Sequence, residues 1–222
     1  AAKAKELGSP AYKVIQAGAK VLGNNKDGID FSLEDDYYGD TRFHIPFIAW
    51  YQVMNASLAL TTMEVLKDRI QVTMEQLQAG IANTRWQGRM ETILPGVIVD
   101  GAHNEDGVRR FVETAERFQK EYPLTLLFSA VNDKDYQDMI HTICSRIKFR
   151  KVVTTEVGGY REVPSAELAE IFCKEGCKDV GNSDNIEEAF HMAHEAKGED
   201  GMLFCVGSLY LVGEIKTLLL KK

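Results

Sequence analysis

The chain has 222 residues, enough for one large or two small domains, with 45% hydrophobic residues to build a core. Its net charge of −7 excludes the basic footprint of a nucleic-acid binder and the polybasic arm of a lipid-surface protein. No apolar run reaches the roughly 20 residues of a membrane helix, and no signal-peptide pattern opens the chain.

Residues 1–8 read as the last turns of a helix already under way, stopped by Gly8 and Pro10. With no initiator Met, a fragment of a longer polypeptide is expected. Ala11 to Leu22 fits strand and helix equally, and Gly23-Asn24-Asn25-Lys26-Asp27-Gly28 predicts a turn. Ile29 to Leu33 alternates like a half-buried strand, and Arg42 to Phe47 does so again with Phe43, Ile45 and Phe47 on one face. The acidic run Glu34-Asp35-Asp36 between them reads as a solvated loop. Tyr51 to Leu66 predicts a helix in which Met54, Leu58, Thr61, Thr62 and Val65 fit the spacing, while Ala56 and Ala59 permit close packing. Asn55 is a polar residue near its start. Thr73-x-x-Gln76 is a capping box that opens a helix with Met74, Leu77 and Ile81 inward, ending near Asn83. The short polar stretch Thr84 to Arg89 then reads as a domain boundary.

The stretch richest in chemistry follows. Val97-Ile98-Val99 ends on Asp100, a polar turn Gly101-Ala102-His103-Asn104 comes next, and Val108, Phe111, Val112, Ala115 and Phe118 recur at helical spacing. An acid, an imidazole and an amide thus stand at the carboxyl end of a strand, where open α/β sheets bind ligands. The free N–H groups of the helix start favour an anion, phosphorylated or carboxylated. The alternative is local: Asp100 and Asn104 cap the turn and the helix.

The strand–turn–helix pattern then repeats. Leu124 to Val131 is a strand that leads through Asn132-Asp133-Lys134-Asp135 to a helix burying Tyr136, Met139, Ile140, Ile143 and Ile147. Lys151 to Thr155 is the next strand, leading through Gly158 to Arg161 into a helix with Leu168, Ile171 and Phe172. A weak strand falls near Asp179-Val180, and Asp184-x-x-Glu187 is expected to cap a helix through Ile186, Ala189, Phe190 and Ala193. Met202 to Val206 is the last strand, Gly207-Ser208 its turn, and an apolar helix closes the chain. Strands alternating with helices predict an α/β fold, a Rossmann-like, mostly parallel sheet with helices on both faces. The turns at Asp100–Asn104, Asn132–Asp135, Thr155–Arg161 and Gly207-Ser208 then share one sheet edge, the expected site. Lys134 is read there as a solvated lysine. No G-x-G-x-x-G follows the first strand and no G-x-x-x-x-G-K-[ST] occurs, so the chain carries no dinucleotide or triphosphate loop of its own. His191 and His194 read as exposed histidines without a third metal ligand. The four cysteines form no C-x-x-C pair and read as reduced thiols on buried faces of a cytoplasmic protein; Cys173 and Cys177, one helical turn apart, are close enough to touch.

Four segments, in order, resemble the folylpolyglutamate synthase / dihydrofolate synthase branch of the Mur ligase superfamily. They are Tyr51-Gln52-Val53-Met54-Asn55-Ala56, Trp86-Gln87-Gly88-Arg89, Asp100-Gly101-Ala102-His103-Asn104 and the segment from Gly207-Ser208-Leu209-Tyr210 to Glu214. The resemblance covers the C-terminal half of that family's pattern. It implies residues 1–86 as the C-terminal part of a central ATP-binding α/β domain lacking its phosphate loop, and residues 87–222 as the C-terminal domain. It implies an ATP-dependent ligase that adds L-glutamate to a folate, and in some members to dihydropteroate, through an acyl phosphate. His103 is then the catalytic candidate. Asn55, Arg89 and Asp100 are candidates for the nucleotide; Arg89 suits phosphate because its planar fork matches two phosphate oxygens. Asn104, Ser208 and Tyr210 are candidates for the substrate. ATP and Mg²⁺ are implied, with the metal ligands mainly outside this chain and none named within it. A cytoplasmic monomer with small-molecule substrates, without nucleic acid or membrane, is expected, inactive as a fragment. The Arg89-to-Asp100 spacing implies a shortened hairpin before the strand. The rival readings are a non-catalytic α/β binding domain and a Mur-type ligase of cell-wall precursors.

Overall fold

Hydrophobic alternation decides the first sheet. The computed structural model describes residues 2–13, 18–25 and 28–220, and the chain divides into two compact units, Ala1–Arg85 and Trp86–Lys222. The first unit opens with a short helix α1 (Ala2–Glu6), then β1 (Ala19–Asn25), β2 (Gly28–Leu33) and β3 (Phe43–Ile45), paired antiparallel in that order. The turn expected over 23–28 is narrower, because Gly23 to Asn25 and Gly28 belong to the ladder; Lys26 and Asp27 lie outside the described residues, as do residues 14–17 of the ambiguous stretch before it. The inward residues Ile29, Phe31, Phe43 and Ile45 are buried, with the Phe31 and Phe43 rings 5.7 Å apart. Helices α2 (Tyr51–Val65) and α3 (Met74–Ala82) cover this core. The capping box at Thr73 and Gln76 forms in both directions. In α2 the buried face is Gln52, Val53, Ala56, Ser57 and Leu60, whereas Leu58 and Val65 are exposed. Apolar residues lie all round this helix, so their spacing alone does not choose a face.

The second unit begins with a hairpin, β4 (Glu91–Leu94) and β5 (Val97–Asp100), turned at Pro95-Gly96. Then follow α4 (Glu105–Phe118), β6 (Leu124–Phe128), α5 (Tyr136–Arg146), β7 (Phe149–Thr154), α6 (Ser165–Lys174), β8 (Val180–Asn182), α7 (Ile186–Lys197), β9 (Met202–Val206) and α8 (Leu209–Leu220). The strands form one sheet in the order β4-β5-β9-β6-β7-β8, parallel throughout except for edge strand β4. The α/β fold with a mostly parallel sheet is as the sequence predicts. β5 and β6 are buried along their whole length, as strands covered on both faces require.

Successive residues of β9 show the two layers. Leu203 and Cys205 pack with Phe190 of α7 and with Leu211 and Ile215 of α8. Phe204 points to the other face, where the rings of Phe111 and Phe118 from α4 lie 5.5 and 5.8 Å away. Phe128 meets Phe172 of α6 at 5.3 Å on that same face. One local expectation fails. Asp184 does not cap α7; Asn185 does, its side chain accepting the Glu188 N–H at 3.0 Å. The Asp184 carboxylate is taken up by the buried Ser165 hydroxyl, so the next residue fills the cap. No helix among the described residues is long and apolar enough to cross a membrane.

β9 is the central element of this core, and Phe204 the aromatic that joins it to α4. Phe204→Ala is expected to cost about 3–5 kcal/mol of stability. Urea unfolding followed by circular dichroism checks this; a loss under about 1 kcal/mol would contradict the packing described.

Candidate functional site at the carboxyl ends of β5 and β9

β5 and β9 are parallel neighbours in register, with Asp100 beside Val206. The helices that follow them leave for opposite faces of the sheet: α4 after β5, α8 after β9. A divergence of this kind at the carboxyl edge is the usual ligand position in this architecture. Two turns meet there, Asp100–Asn104 and Gly207-Ser208.

Asp100 is 2% exposed and both carboxylate oxygens are engaged. Oδ1 accepts the Ala102 N–H and Oδ2 accepts the Met90 N–H, each at 2.8 Å. The Gly101 N–H donates to the Gly88 carbonyl at 2.7 Å. The segment 88–90 is thereby pinned against the end of β5. Met90 sits at φ +46°, a left-handed conformation unfavourable for a residue with a Cβ. The bond to Asp100 is what holds it. Glu91 adds a second tie, accepting the Gly88 N–H at 2.7 Å and pairing with Lys216 of α8 at 2.7 Å. Arg89, inside this pinned segment, is half-buried, and its guanidinium makes no hydrogen bond or ion pair among the described residues. Burial pushes the Asp100 carboxyl up to about 6, opposed by the Met90 and Ala102 N–H groups and by nearby Arg89 and His103.

His103 is half-buried with Nδ1 2.7 Å from the Gly101 carbonyl. A carbonyl only accepts, so Nδ1 carries the hydrogen and the neutral ring keeps its lone pair on Nε2. Asn104 is exposed and caps α4, accepting the Gly107 N–H at 2.8 Å. The local alternative for Asp100 and Asn104 is therefore realised: one braces the turn, the other caps the helix. Ser208 is buried, and its Oγ accepts the Tyr210 N–H at 3.1 Å. Tyr210 is exposed, and its hydroxyl accepts from Arg161 Nη2 at 2.7 Å. Asn55 belongs to the other unit, where it donates to the Gln52 side chain at 2.7 Å.

Two glycines set how closely these pieces approach. A Cβ on Gly101 would fall 2.2 Å from Leu209 of α8. One on Gly207, at φ +107°, would fall 2.1 Å from the Ser129 carbonyl. Ser129 itself was not singled out from sequence, where it lies inside an apolar strand. Its buried hydroxyl has no partner among the described residues, a condition a bound ligand or water would relieve. Arg161 was named only as a turn residue; besides Tyr210 it reaches Asp133 at 3.3 Å. A shallow groove of about 720 Å³ opens at the opposite edge of the sheet, near Gln119–Leu124 and Arg146–Arg150. Arg146 and Arg150 are paired there with Glu116 and Asp200. Among the described residues no three His, Cys, Asp or Glu side chains gather to hold a metal ion.

The raised Asp100 pKa has a definite sign. The native state holds the proton more tightly than the unfolded chain, so this contribution to stability is full below about pH 4 and is lost as pH rises through about 6. The drop is on the order of 2–3 kcal/mol. In urea unfolding between pH 4 and 7, the native chain minus Asp100→Asn should show this fall; a difference independent of pH would refute it. Gly101→Ala should cost about 1–3 kcal/mol by forcing Leu209 aside, and an unchanged unfolding midpoint would contradict the contact.

The profile of the Mur ligase, glutamate ligase domain matches residues 88–209. The dihydrofolate synthase/folylpolyglutamate synthase of Bacillus subtilis is 30% identical over 194 residues, covering 84% of this chain and 43% of that protein. The folylpolyglutamate synthase of Mycobacterium tuberculosis, solved with ADP and AMPPCP, superposes with a TM-score of 0.79 at 23% identity, over 98% of this chain and 51% of that one. The bifunctional enzyme of Yersinia pestis, solved with AMPPNP and a Mn ion, gives 0.73 at 18% identity, over 97% and 49%. The chain thus spans less than half the length of the Bacillus relative, and these relatives are of the branch its four motifs resemble. With more than half its length matched by the domain profile, the chain belongs to the Mur ligase family.

Proposed function

We propose that the chain is the C-terminal portion of a folate-directed glutamate ligase, residues 1–86 completing a central ATP-binding domain and residues 87–222 forming the C-terminal domain. The observation that carries this reading is the juxtaposition of the Asp100–Asn104 turn and Gly207-Ser208 at the ends of two paired strands, with Arg89 in the segment pinned beside them. In the reaction, a folate γ-carboxylate takes the γ-phosphoryl group of ATP, giving an acyl phosphate and ADP. The amine of L-glutamate then attacks the acyl carbon and phosphate leaves. Dihydropteroate is a second acceptor in the same chemistry.

The chain's own residues serve charge and position. Arg89 offers its fork to phosphate oxygens. Asp100, largely ionised at neutral pH, keeps Arg89 at the strand end through the Met90 N–H. His103, oriented by the Gly101 carbonyl, presents Nε2 to accept a proton from the incoming ammonium. Ser208, whose oxygen already takes the Tyr210 N–H, has its proton left for an anionic oxygen at the start of α8. That helix has no acidic residue in its first turn, which suits an anion. Tyr210 and Asn104 line the same edge as substrate candidates, and Asn55, in the first unit, is a nucleotide candidate in its own right. The described residues form no metal centre, and Mg²⁺ would be held mainly by residues outside this chain. A cytoplasmic monomer fits this role.

The test is ATP-dependent incorporation of radiolabelled glutamate into tetrahydrofolate or dihydropteroate. The 222 residues alone are expected to give no product, and the polypeptide with its native upstream sequence to give it. In that active protein, Arg89→Ala should lower kcat/KM by about 100-fold or more, with unfolding unchanged. Product from the isolated chain, or full activity in the Arg89 variant, would overturn the reading. Ligation to a nucleotide-sugar peptide instead would move it to a cell-wall ligase.

A further inference from the structure

Three of the four cysteines gather where α5 and α6 end. Cys144 lies in the last turn of α5, Cys173 in the last turn of α6, and Cys177 in the turn from α6 into β8. The fourth, Cys205, is fully buried in β9, and burial pushes its thiol far up. The sulfur that Cys177 meets is not that of its helical neighbour Cys173 but that of Cys144, at 3.6 Å and 33 residues away in sequence. Both of these cysteines are half-buried, and Cys173 is exposed, so only Cys205 fits the expectation of thiols on buried faces.

The approach of the two sulfurs is built in. One turn before Cys144, His141 Nδ1 lies 2.9 Å from the Glu175 carboxylate. Gly176, at φ +92°, then reverses the chain between Glu175 and Cys177. At the far end of the same helix pair, the Tyr136 hydroxyl donates to Glu167 at 2.7 Å. The backbones on both sides are therefore held while the sulfurs touch. A disulfide needs about 2.05 Å between sulfurs, so closure asks about 1.5 Å of movement, within reach of side-chain rotation.

We propose that Cys144 and Cys177 are a thiol–disulfide modification site, closing reversibly when the protein meets a low-molecular-weight disulfide. The Cys177 thiolate attacks one sulfur of the reagent, the reagent's S–S bond breaks, and the first small thiolate leaves and takes up a proton. Cys144 then gives up its proton, and its thiolate attacks the Cys177 sulfur, expelling the second small thiolate. The cysteine pair loses two electrons and two protons, and the reagent becomes two thiols. Either sulfur can donate across this contact; with the Cys144 S–H donating, the Cys177 thiol is lowered and that of Cys144 raised, which is the arrangement in which Cys177 attacks first. The bond would join α5 to the turn before β8, at the amino edge of the sheet. It leaves the residues at the carboxyl edge chemically unchanged and staples the scaffold that carries them.

The test is incubation of the chain with glutathione disulfide, followed by thiol titration in denaturant and peptide mapping. Titratable thiols should fall from four to two, a Cys144–Cys177 peptide should appear, and dithiothreitol should restore the starting count. Thermal unfolding of the closed form should rise by roughly 5–15 °C. Cys173→Ser should leave the link intact, and Cys177→Ser should abolish it. A Cys173–Cys177 link, a glutathione adduct on Cys177 that never resolves, or four unreacted thiols would each overturn the proposal; all three are read on the native sequence and do not depend on a variant folding.

Discussion

A single buried carboxylate organises the carboxyl edge of the second unit's sheet. Asp100 ends a strand buried on both faces, and it has no counter-ion in bonding contact. It is made tolerable by two backbone N–H donors, from Met90 and Ala102. These donors do not come from one local turn. One lies two residues ahead and the other ten residues behind, across the β4–β5 hairpin, so satisfying Asp100 closes a loop of structure. The left-handed Met90, the Gly101-to-Gly88 bond and the position of Arg89 follow from that closure. Removing the carboxylate would therefore leave two buried donors and a strained residue without what holds them.

The juxtaposition of the two turns has a topological cause. β9 is the last strand in sequence yet lies between β5 and β6, and its helix α8 leaves on the face opposite α4. Gly101 and Gly207 permit the close approach this demands, one admitting Leu209 and the other lying against the Ser129 carbonyl. The Glu91–Lys216 pair links the hairpin to α8 across 125 residues. Such a half-exposed pair is worth little as stability; its value is in fixing where the start of α8 sits relative to the Asp100 turn.

What was legible in the sequence was local. The run Val97 to Phe118 declares its own strand, turn and helix, because β-branched burial, an Asx turn, an N-cap and an apolar stripe all act within a few residues. The Thr73 capping box is legible for the same reason. The face of α2 was not, since apolar residues surround it, and the α7 cap moved from Asp184 to Asn185 because Ser165, 19 residues earlier, claims the aspartate. Asp100 and His103 stand out from the strand–turn–helix pattern, Ser208 from motif resemblance, and the βα alternation puts their turns on one sheet edge; that the two turns are neighbours on it rests on β5–β9 pairing, which no local pattern encodes. Ser129 and Arg161 gain meaning only from tertiary neighbours: an orphaned hydroxyl in one case, a tyrosine 49 residues away in the other. The Cys144–Cys177 contact is likewise invisible to spacing, which pointed to Cys173 instead.

The central claim is that the ligands of the proposed ligase meet this chain at the carboxyl ends of β5 and β9. Hydrogen-exchange mass spectrometry tests it most directly, on the protein with its native upstream sequence, with and without a non-hydrolysable ATP analogue, a folate and glutamate. Slowed exchange confined within this unit to residues 88–104 and 207–212 is the predicted result. Unchanged exchange there, with protection at the groove by Gln119–Leu124 instead, would contradict it.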